Sequence, residues 1–251
     1  SEDEGIMLAS CAGGCSSMVK FNVDKAEACG TKIAITLSGL TGGHSGVEID
    51  KGRGNANVLM SRILRESANL TPLAIVSLDG GKKDNAIPRD CECEIIVAAD
   101  KAALVKESIN NAGADIKTEF STSDPQLQLT VSLYDNFTAS AMTPDASSKV
   151  ISLIQSLPNG IQRMSQDIDN LVETSLNLGV MESDDNGLKL RYALRSSVGA
   201  ALKSLKSHLV CVAGAFGSNV EFSGEYPAWE YKKDSKLRDD MVRIFAEMFG
   251  K

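Results

Sequence analysis

The apolar residues of this chain change period along its length, and that change constrains the fold more than any other feature. In KIAITLSGL, residues 32–40, they alternate with polar ones as a strand with one buried face requires, until glycines stop the run. Over residues 54–69 the period becomes helical, placing Ala56, Leu59, Met60, Ile63 and Leu64 on one face, with Pro72 beyond the end. Two strands follow, LAIVSLD from Leu73 and CECEIIVAA from Cys91. The loop GGKKDNAIPRD between them carries glycines and Pro88, which forbid regular structure. A helix, DKAALVKESINNAG, and a strand, QLQLTVSLY, complete the set. The order strand, helix, strand, strand, helix, strand predicts a ferredoxin-like split βαββαβ unit.

After FTASAMTP the pattern partly recurs: a helix over residues 145–157, a short stretch around Gln162, then ETSLNLGVMESDDNGLKLRYALRSS. DDNG, residues 184–187, lies between two alternating apolar runs and signals a hairpin. A helix over residues 198–213 and the strand SNVEFSG follow. The expected fold class is α+β: two ferredoxin-like βαββαβ-type halves, about 17–137 and 138–225, sharing an antiparallel sheet with helices on one face. The duplication is one of element order, since no strong sequence repeat is visible. Both ends fit less well. SEDEGIMLASCAGG passes from an acidic run into an apolar strand, and DSKLRDDMVRIFAEMFGK is an amphipathic helix. Residues 1–16 and 226–251 are therefore expected to be stubs of something else, with the body of the fold at 17–225 between them.

Charge narrows the partners. Acidic residues outnumber basic ones by 33 to 26, and no sustained basic stripe offers to release counterions from a phosphate backbone, so nucleic acid is not an expected partner. No apolar run approaches the roughly 18 to 20 residues of a spanning helix, and no basic-then-apolar leader opens the sequence. No membrane association and a cytoplasmic location are expected. The six cysteines include CAGGC and CEC, and neither spacing matches a zinc knuckle or a redox pair, so reduced, buried or half-buried thiols are expected.

Few residues could carry chemistry. His44 sits in LTGGHSGVEI between a strand and a helix. Gly42, Gly43 and Gly46 allow positive φ and close approach there, so the imidazole can project from a tight turn; a polar loop histidine without a task fits the same residues. The segment fails as a phosphate loop, because no GK[ST] follows. His208, in KSLKSHLVCV, reads as structural or solvent-facing. Glu2, Asp3 and Glu4 are consecutive, so in a strand they point to alternating faces and do not chelate together. No HxD or Glu-Glu pair is present, so no metal site is expected within these residues. Arg195 stands near the end of an alternating strand, where a guanidinium could grip a carboxylate with two hydrogen bonds. Asn85 and Asn177 are further polar candidates, although asparagine also serves turns.

The strings SEDEG, SGLTGGHSGVEIDKGRGNA, NAIPR, MSQDIDNLVETSLNLG, RSS and GEYPAWE, in this order, resemble the aminoacyl-histidine dipeptidases, which sit among the di-zinc metallopeptidases of aminoacylase and carboxypeptidase G type. The resemblance implies a lid domain inserted in a catalytic domain that binds two zinc ions outside these residues, with the ends as crossings between the two. It implies that His44 hydrogen-bonds the oxyanion, that Arg195 grips the substrate carboxylate, and that Asn85 and Asn177 are substrate-binding. It also implies Xaa-His dipeptide substrates such as carnosine, the rest of the catalytic domain as a partner, homodimerisation through the lid, and inactivity of this portion alone. Where the family has glycine between proline and tryptophan, Ala228 stands here, which puts a tight turn there in doubt. A self-standing ferredoxin-like amino-acid-binding regulatory module is the alternative reading.

Overall fold

The computed structural model describes residues 8–250. The SEDEG string, with Glu2, Asp3 and Glu4, lies outside the described residues. The chain runs through β1 (Gly13–Asn22), β2 (Lys25–Ser38), the two-residue β3 (Gly43–His44), α1 (Ala56–Ala68), β4 (Ala74–Gly80) and the two-residue β5 (Ala86–Ile87). It continues through β6 (Cys91–Val97), α2 (Ala102–Glu119), β7 (Gln128–Met142), α3 (Pro144–Ser156), β8 (Gly160–Met164) and β9 (Val172–Asp184). β10 (Gly187–Ser196), α4 (Gly199–Ala215), β11 (Asn219–Tyr226) and α5 (Lys236–Phe249) complete it. The fold is α+β, as expected, and its main sheet is antiparallel, in the order β11-β1-β10-β9-β4-β6-β2-β7, with β8 joining at β9.

Alternate residues of the strands, among them Ile33, Ile35 and Leu37 of β2 and Leu190, Tyr192 and Leu194 of β10, share one core cluster with α1 to α4. Leu59, Met60, Ile63 and Leu64, placed on one face of α1 by their spacing, are all buried in it. Period-two strands and amphipathic helices thus close on each other through their apolar faces. Asn55 caps α1, its side chain accepting from the amides of Asn57 and Val58, and Thr143 caps α3 in the same way from Ala146.

Two strands extend well past their apolar runs. Residues 25–30 of β2 pair only with β7, from Lys25↔Met142 to Gly30↔Phe137. Backbone hydrogen bonds at that edge tolerate the unpatterned KAEACG, which periodicity alone does not mark as strand. The strand near the start is built into the middle of that end of the sheet: β1 lies between β10 and β11 and pairs with both along its length.

The sheet is thinnest where β4 meets β9, a contact of one residue pair, Gly80↔Met181. β8 pairs with β9 only up to Leu176, so the edge of β9 between them has no strand partner. Asparagines fill the gap. Leu178 N–H donates to Asn159 Oδ1 (2.8 Å), and its carbonyl accepts from Nδ2 of Asn55 (3.0 Å) and of Asn57 (3.4 Å). Buried backbone groups left unpaired are costly, and carboxamides carry both donor and acceptor.

Candidate functional site

His44 is built on a segment pinned at both ends. Asp124, 1% exposed, accepts from the amides of Thr41 and Gly54, both at 2.8 Å, so one carboxylate ties the two ends of the loop together. Within it Gly42 (φ 65°) and Gly43 (φ 134°) take conformations that side chains disfavour. Arg53 Nη1 donates to Gly42 O (2.6 Å) and to Glu48 Oε1 (2.8 Å), while Glu48 Oε2 accepts from the His44 amide (2.7 Å). That amide, with Arg53 second, holds the Glu48 carboxyl below the ordinary glutamate range. His44 is exposed and pairs with Ala86 in the β3–β5 ribbon.

The imidazole orientation follows from its neighbours. Nδ1 accepts from the amides of Gly46 (3.1 Å) and Val47 (3.3 Å). A ring nitrogen that accepts carries no hydrogen, so the neutral ring bears its proton on Nε2. The Nε2 N–H is then left as the donor that its own loop does not use.

Gly46 serves close approach rather than left-handed backbone, since its φ is not positive. A Cβ there would lie 2.9 Å from His44 Cε1 and 3.2 Å from Arg195 Nε. The structure therefore brings together His44 and Arg195, both of which approach the space beside one glycine. Arg195 lies on β10, its Nη1 donates to Tyr226 Oη (3.2 Å), and its Nε has no partner among the described residues.

The two asparagines differ. Asn85 is exposed next to the His44 ribbon, and its carbonyl accepts from Ser45 N (2.9 Å). Asn177 is 1% exposed; its Nδ2 donates to Asp84 O (2.9 Å) and Ala86 O (2.8 Å), and its Oδ1 accepts from Asn55 Nδ2 (3.2 Å). His208 is solvent-facing on α4. Ala228 has no positive φ, so no conformation reserved for glycine is needed there. Cys15, Cys91 and Cys93 are buried thiols, and Cys11, Cys29 and Cys211 are exposed. Burial pushes the Cys91 and Cys93 thiols well above their ordinary range. Among the described residues no three His, Cys, Asp or Glu side chains converge as a metal site.

Sequence reasoning missed Asp124, Glu48, Ser16 and Tyr226. Ser16 Oγ donates to Asp84 Oδ2 (2.6 Å), a contact between residues of β1 and the β4–β5 loop. Glu48, four residues past His44, is the one with a local signal, because a carboxylate so placed can fold back on the turn.

Residues 35–123 match the peptidase dimerisation domain family. Over 253 residues the chain is 33% identical to the cytosol non-specific dipeptidase of Escherichia coli (strain K12), an alignment covering 100% of this chain and 52% of that protein. The crystal structure of aminoacylhistidine dipeptidase from Vibrio alginolyticus superposes with a TM-score of 0.94 at 31% identity, covering 100% of this chain and 51% of that one. The chain thus spans about half the length of each of these relatives.

Proposed function

This chain is a homologue of the cytosol non-specific and aminoacylhistidine dipeptidases, and on that premise we propose that it forms the substrate-capping lid of a cytoplasmic dipeptidase. Residues 17–225 are the body of the lid, and the chain crosses to the catalytic domain within 1–16 and 226–251. The substrates are dipeptides with histidine at the C-terminal position, such as carnosine, with wider dipeptide tolerance. The match to a dimerisation domain supports a homodimer. The described residues do not form a site for the two zinc ions that the resemblance implies. In this reading those ions belong to the remainder of the polypeptide, and the chain alone does not hydrolyse peptides.

The observation that carries the proposal is the meeting of His44 and Arg195 around Gly46. When a peptide bond is attacked, the carbonyl oxygen gains negative charge. A preoriented N–H donor stabilises that charge more than it stabilises the ground-state carbonyl, which lowers the barrier. Nε2 of His44 is such a donor, because two backbone amides already occupy Nδ1. Arg195 is the cation for the free carboxylate of the dipeptide. Tyr226 holds one arm of its guanidinium, and the fork geometry suits a bidentate bond. Asn85, exposed beside the ribbon, lines the same site.

The test is hydrolysis of Xaa-His dipeptides by the complete polypeptide and by this chain alone, each with zinc. The expected outcome is turnover by the first only. Turnover by the isolated chain, or none by the complete polypeptide, overturns the proposal. Binding of free amino acids by a chain whose parent lacks dipeptidase activity would instead identify a regulatory module.

A further inference from the structure

We infer that Ser16 and Asn177 are positioning residues for His44, acting through the loop of residues 83–86. The catalytic consequence of this inference rests on the dipeptidase reading; its structural content does not. Across β1, β10 and β9 the residues Ser16, Ala193 and Asn177 are direct partners, Ser16↔Ala193 and Ala193↔Asn177. They form one row on one face of the sheet, because directly opposed residues of neighbouring strands point to the same face. Leu194 of β10, together with Leu176 and Leu178 of β9, points instead into the helix-covered core.

The loop lies along this row. At one end Ser16 Oγ holds the Asp84 carboxylate (2.6 Å). At the other, Nδ2 of Asn177 holds the carbonyls of Asp84 (2.9 Å) and Ala86 (2.8 Å). Gly179, left out of the β9–β10 pairing at a bulge, lets the loop backbone settle: a Cβ there would lie 2.4 Å from Asp84 Cα. The loop then becomes β5, where Ala86 pairs with His44 and Ile87 with Gly43, and Asn85 O accepts from Ser45 N. A two-residue ribbon has no stability of its own, so it takes its position from the loop that feeds it.

The next row on the same face is Gly14, Arg195 and Ser175. The strands that hold the loop therefore also present Arg195, and the spacing of His44 from Arg195 is set by two neighbouring rows of one sheet. Both donors of the Asn177 carboxamide are engaged by the loop, which accounts for a buried asparagine at this place.

The test uses the complete dipeptidase polypeptide and three variants. Asn177→Asp keeps the shape and loses both donors, Ser16→Ala loses the hydroxyl, and Ser16→Thr retains it. Hydrogen exchange is followed by mass spectrometry over peptides covering 42–48, 83–87 and 91–97, beside kcat and KM for an Xaa-His dipeptide. The expected result is exchange at least about tenfold faster over 42–48 and 83–87 in Asn177→Asp and Ser16→Ala, with 91–97 unchanged. The fall in turnover should appear mainly in kcat, since His44 acts on the transition state, and Ser16→Thr should restore both measures. Unchanged exchange over 42–48, uniformly faster exchange along the chain, or Ser16→Thr behaving as Ser16→Ala would overturn the inference. Loosening of the ribbon without loss of turnover would overturn the role given to His44 and leave Ser16 and Asn177 as holders of the ribbon. A complete polypeptide with no dipeptidase activity would overturn the dipeptidase reading, and the exchange comparison would still decide this one. Should Asn177→Asp not fold, the two Ser16 variants carry the comparison.

Discussion

The amide of Gly46 donates to Nδ1 of His44 at 3.1 Å, so the residue that leaves room for the imidazole also fixes which of its nitrogens carries the proton. Substituting Gly46 by alanine keeps that amide and adds a Cβ 2.9 Å from the ring and 3.2 Å from Arg195 Nε. Because the φ of Gly46 is not positive, the backbone need not change, and the effect is confined to the two side chains. Gly46→Ala in the complete enzyme is expected to lower kcat/KM at least about tenfold while the thermal midpoint moves by only a few degrees. Wild-type kcat/KM in that variant would show that the two side chains do not act at one site.

His44→Ala removes the Nε2 donor. Loss of one oxyanion donor typically costs about 100 to 1000-fold in kcat, and that is the expected fall, with zinc content measured by atomic spectroscopy unchanged. A parallel loss of metal would mean that His44 does something other than donate a hydrogen bond.

Arg195→Lys keeps the charge and loses the planar fork. The variant is expected to raise KM for dipeptides about tenfold or more, and to discriminate poorly between a free C-terminal carboxylate and its amide. Steady-state kinetics on that substrate pair decide it, and an unchanged preference for the free acid would remove Arg195 from the carboxylate site.

Glu48 supplies the pH dependence. Its folded-state carboxyl titrates below the ordinary glutamate range, so its stabilisation of the His44 loop is present above the unfolded value and is lost as the pH falls through the lower folded one. Local protection of the 42–48 peptide in hydrogen exchange is therefore expected to hold above the ordinary glutamate range and to fall as the pH is lowered through and below it. In Glu48→Gln that dependence should be absent.

Asp124 holds two loop ends from a buried position. Asp124→Ala would leave the amides of Thr41 and Gly54 without their acceptor, at about 1–3 kcal/mol for the buried Gly54 group and less for the part-buried Thr41 one. Denaturant unfolding is expected to show a loss of roughly 2–4 kcal/mol, and a loss under about 0.5 kcal/mol, typical of an unremarkable surface position, would exclude the clamp.

The amino-acid order by itself determined the local elements: the strand face of Ile33, Ile35 and Leu37, the apolar stripe of α1, and the hairpin at Asp184, whose Oδ1 accepts from the amides of Asn186 and Gly187. These depend on neighbours within a few positions, and periodicity records them. His44 was legible as a candidate because its glycines are adjacent in sequence, and Arg195 because it ends an alternating run. Only the tertiary structure decided that these two meet beside Gly46, that β1 inserts between β10 and β11, and that Asn177 holds a loop from the other part of the sheet. Each of those facts is a pairing between residues far apart in the chain. Such pairings are chosen by which register buries the apolar face and satisfies the backbone, and that competition has no signature in a short window of sequence.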